Sequence, residues 1–79
     1  MDTLLGEYDS GIQVWQRGDL YFIRYDAGAH FPAIREDEIS ADEAQQALQG
    51  EPAALELLKA IQSSLQGLGV NPYVSNLKP

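Results

Sequence analysis

From Gly11 to Ile34 the chain is rich in Val, Ile, Tyr, Phe and Trp, and two turn signals, Gly18-Asp19 and Asp26-Ala27-Gly28, divide it into three short runs. β-Branched and aromatic residues fit a pleated, half-buried surface, so these runs predict an antiparallel three-stranded meander over residues 11–16, 20–25 and 30–35. Pro32 has no N–H to donate, which puts the third strand at a sheet edge with that position facing solvent.

The first turn fixes the faces of the hairpin. A two-residue loop at Gly18-Asp19 sets Arg17 opposite Leu20, Gln16 opposite Tyr21, Trp15 opposite Phe22 and Val14 opposite Ile23. Ile12, Val14, Tyr21, Ile23 and Tyr25 then share one apolar face, and Gln13, Trp15, Arg17, Leu20, Phe22 and Arg24 share the other. Moving the loop back by one residue keeps both faces, whereas a three-residue loop would group Ile12 and Val14 with Leu20 and Phe22. The two-residue loop leaves fewer polar groups facing the core. It also explains the tripeptide Arg17-Gly18-Asp19, which resembles an adhesion signal: Gly18 supplies the positive φ of a tight turn, and Arg17 is the last strand residue.

Beyond Ile39 the period changes to that of helices. Ser40 and Glu43 have the spacing of a capping box, with Ile39 placed for a hydrophobic staple, and Asp42 and Glu43 suit the positive end of a helix dipole. A first helix is expected over 41–49, carrying Ala44, Ala47 and Leu48 as a thin stripe and stopped by Gly50. Pro52 opens a second over 52–66, with Leu55, Leu58, Ile61, Leu65 and Leu68 as its core stripe, widened by Ala54 and Leu57, and with Gly67 and Gly69 at its end. Two helices so close in sequence pack as a hairpin on one face of the sheet, which gives an α+β fold of three or four strands followed by two helices. The tail, 67–79, has two readings: Tyr73, Val74 and Leu77 fold back, as a fourth strand in one version, or the tail is mobile or held by a partner. Leu4, Leu5 and Tyr8 at the other end raise the same question.

Seventy-nine residues suit one domain spanning 1–79 with a single small core. The absence of cysteine removes disulfides, thiolate metal sites and thiol nucleophiles, and points to the cytosol as the compartment. The opening residues "MDTLLGEYDSG" are acidic with only a two-leucine apolar run, so neither a signal peptide nor a membrane span is expected. Catalytic chemistry finds little footing. His30 is the sole histidine, "REDE" at 35–38 lacks the spaced oxygens and glycine of a calcium loop, and the Gly67-x-Gly69 pair follows a helix instead of opening one. No cofactor, metal or enzymatic activity is expected.

Charge is the remaining signal. The formal net charge is −7, and Glu36, Asp37, Glu38, Asp42, Glu43, Glu51 and Glu56 fall in one stretch without Lys or Arg. Trp15 and Phe22 beside Arg17 and Arg24 suggest a single-strand reader, but so acidic a chain repels phosphates. Two protein-contact surfaces are expected instead: an acidic belt of Glu36, Asp37, Glu38, Asp42 and Glu43 that meets a basic protein, and a sheet face of Trp15, Arg17, Leu20, Phe22 and Arg24 that docks hydrophobically unless a terminal segment covers it. The expected function is a small acidic binding module acting as a stoichiometric inhibitor, of the kind seen in bacterial toxin-immunity and phage anti-defence proteins. An assembly or adaptor subunit that self-associates or docks through the aromatic face is the alternative, and a small enzyme or ligand-binding domain is the third class.

Overall fold

The computed structural model describes residues 1–28 and 32–77. Its elements are β1 (Asp2–Glu7), β2 (Gln13–Arg17), β3 (Leu20–Asp26), β4 (Ile34–Ile39), α1 (Ala41–Ala47) and α2 (Glu51–Gly67). The strands form one antiparallel sheet in the order β1-β2-β3-β4, and the fold is α+β.

The hairpin of β2 and β3 has the register that the two-residue turn requires, from Arg17 opposite Leu20 to Gln13 opposite Arg24. Gly18 sits at φ 62°, a region closed to most side chains. Alternation therefore sends Ile12, Val14, Ile23 and Tyr25 into the core, where all four are buried, with Tyr21 partly buried beside them. Ala44 and Ala47 of α1, Ala54 and Leu57 of α2, and Ile39 of β4 complete the same cluster, so both helices cover this inner face.

The third run forms a strand over Ile34–Ile39, not 30–35. Strand β3 runs on to Asp26, whose carboxylate accepts the N–H groups of Gly28 and Ala33, each at 2.9 Å, and pairing resumes only with Asp26 opposite Ile34. Pro32 therefore precedes the strand, and His30 lies outside the described residues. The charged "REDE" run at 35–38 lies within β4, where Arg35 pairs with Asp37 and Glu36 pairs with Arg17 and Arg24.

The fourth strand comes from the N-terminus. β1 pairs with β2, setting Leu4 opposite Trp15, with a register shift between Leu4 and Gly6 that marks Leu5 as a bulge. A Cβ at Gly6 would lie 2.7 Å from Leu48 Cδ2, so the strand meets the end of α1 closely at a residue without a side chain.

In the helical half, the capping box forms as expected: Glu43 N–H donates to Ser40 Oγ at 3.1 Å and Ser40 N–H to Glu43 Oε1 at 2.9 Å. The buried line of α2 is rotated from the leucine stripe. Ala54 and Leu57 are buried and Leu58 and Ile61 partly so, whereas Leu55 and Leu68 are exposed. Small residues at 44, 47 and 54 let the two helices approach closely, and that contact decides which side of α2 faces the sheet.

The tail folds back without becoming a strand. Asn71 to Leu77 lie along the free edge of β4: Glu36 N–H donates to Asn76 Oδ1 at 2.9 Å, Asn76 Nδ2 donates to Glu36 O at 2.7 Å, and Ser75 Oγ donates to Ile34 O at 2.6 Å.

Candidate functional site

β4 carries four consecutive charges, and its period of two sorts them. Arg35 and Asp37 point inward, and Arg35 is 3% exposed. A guanidinium removed from water needs acceptors for its donors. Asp37 supplies both oxygens, at 2.9 Å from Nη2 and 3.3 Å from Nε, and Nη1 donates to the carbonyls of Val74 at 3.0 Å and Asn71 at 3.5 Å. The Tyr25 hydroxyl donates to Asp37 Oδ2 at 2.7 Å. Bonding to Asp37 holds the Arg35 pKa above its ordinary value, while burial, reinforced by the Asp37 charge, pushes the Tyr25 phenol up to about 12.

On the outer face Glu36 is the hub. It accepts from Arg24 at 2.5 and 3.0 Å and from Arg17 at 3.1 Å, and Arg17 also grips Asp2 through two bonds of 2.7 and 2.9 Å. That second grip holds the Asp2 carboxyl below its usual range. The guanidinium of Arg17 lies 4.5 Å from the Phe22 ring centre and that of Arg24 lies 5.1 Å from Trp15, both within cation–π range. Trp15 donates its indole N–H to Gln13 Oε1 at 3.0 Å. Thus Trp15, Arg17, Phe22 and Arg24 are brought together as the sequence suggests, with both rings partly buried under arginines that are themselves engaged. Leu20 stands beside them, 46% exposed.

The acidic belt divides into two parts. Glu36 and Asp37 are consumed by the three arginines. Asp37 and Glu38 of β4, Glu43 of α1, and Ala60, Ile61, Ser64 and Leu65 of α2 line a groove of about 290 Å³. Glu38 forms no ion pair among the described residues, and Glu43 gives one oxygen to the Ser40 N–H. Asp42 is exposed in the first turn of α1, outside the groove lining. The wall formed by Ile61 and Leu65 suits an aliphatic stem, and the Glu43 carboxylate beside it suits a cationic head; Glu38 stands opposite Phe22, so its side chain shares the outer face with Glu36.

Sequence reasoning assigned Ile61 and Leu65 to the core and gave Ala60, Ser64 and Arg35 no role. The helical spacing of 60, 61, 64 and 65 marks one strip of α2, and that signal was legible; the burial of Arg35 depends on the β4 register, which the turn signals did not fix. Among the described residues no group of three or more His, Asp or Glu could hold a metal ion, and no helix is long and apolar enough to cross a membrane. Compared with family models, curated proteins and solved structures, the chain gives no significant match.

Proposed function

We propose that the protein is a small acidic binding module that docks a basic protein through the groove between β4, α1 and α2, and acts as a stoichiometric inhibitor by occluding the surface it covers. One observation carries this reading. All three arginines are locked in internal ion pairs, none of them with Glu43, so they cancel none of the carboxylate charge that Glu43 sets beside the apolar wall of Ile61 and Leu65. Such a surface attracts a cationic partner over a Debye length of about 8 Å at physiological salt and accelerates encounter. The remaining acidic charge, including Asp42, Glu51 and Glu56, extends the attraction beyond the groove.

The test is capture by the immobilised full chain at low and high salt, with and without the double substitution Glu38→Lys/Glu43→Lys. The reading expects a basic partner held at 1:1 stoichiometry, released by salt and lost with the double substitution. A neutral or acidic partner held regardless of salt contradicts it.

A second reading, an adaptor that docks through the outer sheet face, is favoured by Leu4 and Leu20, 43% and 46% exposed beside the Trp15–Phe22 pair. It expects partner capture to survive the groove substitutions and to fail with Leu20→Ser.

A further inference from the structure

The two edges of the sheet are protected in different ways. An edge strand offers unpaired N–H and C=O groups to any other strand, and folded proteins blunt that invitation. β1 does so in its own sequence, with the bulge at Leu5 and carboxylates at Asp2 and Glu7. β4 is six residues in unbroken register with β3, with no bulge or proline. Its protection is borrowed. The outward-facing carbonyl of Ile34 is occupied by the Ser75 hydroxyl and the outward N–H and carbonyl of Glu36 by the Asn76 amide, which stands where the peptide group of a fifth strand would be.

This cover is held by polar contacts more than by burial. From Asn71 to Leu77 only Pro72 is buried, and Tyr73, Val74 and Leu77 are about half exposed. Segments with few buried apolar contacts open well below the free energy of global unfolding.

We propose that residues 71–77 are a detachable strap over a latent self-association edge, and that its release lets β4 pair antiparallel with β4 of a second copy about a two-fold axis at Glu36. The charge pattern selects both occupant and register. Outward-facing backbone groups belong to Ile34, Glu36 and Glu38, so the registers open to a symmetric pair are centred on Arg35, Glu36 or Asp37. A centre at Arg35 sets two arginines opposite each other, and a centre at Asp37 sets two aspartates so. The centre at Glu36 sets Arg35 of each copy opposite Asp37 of the other, on one face and within cross-strand reach. It also resolves the position of Arg35, which loses the Asn71 and Val74 carbonyls when the strap leaves and gains a second carboxylate. The two Glu36 side chains meet at the axis, each already neutralised by Arg17 and Arg24. The product is a continuous eight-stranded sheet from two four-stranded ones, with the outer β1 edges still guarded.

The test begins with the unaltered chain: by hydrogen exchange the Glu36 amide is expected to exchange at least about tenfold faster than that of Ile23, through local opening. Equal rates, set by global unfolding, would show that the strap is not separable and overturn the proposal. The double substitution Ser75→Ala/Asn76→Ala is then expected to double the mass seen by light scattering as concentration rises, with unchanged far-ultraviolet circular dichroism. Because the chain has no cysteine, adding Glu36→Cys reports the register directly, and oxidation should give a covalent dimer. A folded monomer at every concentration, or cross-linking through Leu4→Cys instead, refutes it.

Discussion

Two neighbouring residues of β4, Glu36 and Asp37, are bound by arginine with similar geometry on opposite faces of one sheet, and the consequences differ. Inside, Asp37 is the counter-charge of a guanidinium withdrawn from water, and the pair is tied to Tyr25 and to the carbonyls of the tail. Outside, Glu36 gathers Arg17 and Arg24 over Phe22 and Trp15, where solvent still reaches the arginines. Both carboxylates are largely withdrawn from solvent, and the difference lies in the cations. Arg35 is 4% exposed in its side chain, which makes the inner pair expensive to break, whereas Arg17 and Arg24 are 42% and 32% exposed, which leaves the outer lattice open to screening. What protects the outer face is thus neither a helix nor the tail: the arginines lie over their own aromatic neighbours.

The sharpest way to break the contrast is Asp37→Ala. It strands Arg35 without its carboxylate, and a loss of about 3–5 kcal/mol in urea unfolding is expected. Leu at 37 with Met at 35 should recover most of it, since an apolar pair removes the need for compensation. Next comes a pair of neighbours on β3: Ile23→Ala empties a fully buried site and should cost about 3 kcal/mol, whereas Phe22→Ala on the outer face should cost about half as much. Equal losses would mean that the outer face is as closely packed as the core. Smaller again, Glu36→Gln should lower stability by about 1 kcal/mol, with most of the difference from the unaltered chain gone in high salt.

The mildest effect is alkaline. In the unfolded chain Tyr25 releases its proton near pH 10, while in the fold it keeps it to about 12. Between those values the unfolded state binds fewer protons, so stability should fall as pH rises through that window and stay flat, as far as Tyr25 is concerned, below it. Thermal melts alongside absorbance of the ionised phenol measure both halves of that statement.

Much of the fold was legible because local chemistry specified it. Gly18 with Asp19 fixed the hairpin register, and through it the burial of Ile12, Val14, Ile23 and Tyr25; Ser40 with Glu43 marked the start of α1. What escaped was whatever depended on long-range pairing. A run such as Arg35-Glu36-Asp37-Glu38 looks solvated until the register of β4 sends alternate charges to partners on two faces. Likewise Asp2-Thr3-Leu4-Leu5 shows no strand alternation of its own and becomes β1 only by pairing with β2. The candidate surfaces were half legible: composition drew attention to the acidic stretch and the aromatic face, but which charges survive internal pairing is a property of the assembled sheet.

The central claim is that an unspent carboxylate, Glu43, stands at the groove between β4, α1 and α2, while Glu36, Arg17 and Arg24 of the outer lattice are satisfied within the chain. Its most direct test is a two-dimensional amide NMR titration of the full chain with a short lysine- and arginine-rich peptide, at low and at physiological salt. The account predicts shifts confined to Asp37, Glu38, Glu43, Ala60, Ile61, Ser64 and Leu65 that shrink as salt rises. Shifts centred on the Trp15 indole and on Phe22, with the groove unmoved, would contradict it.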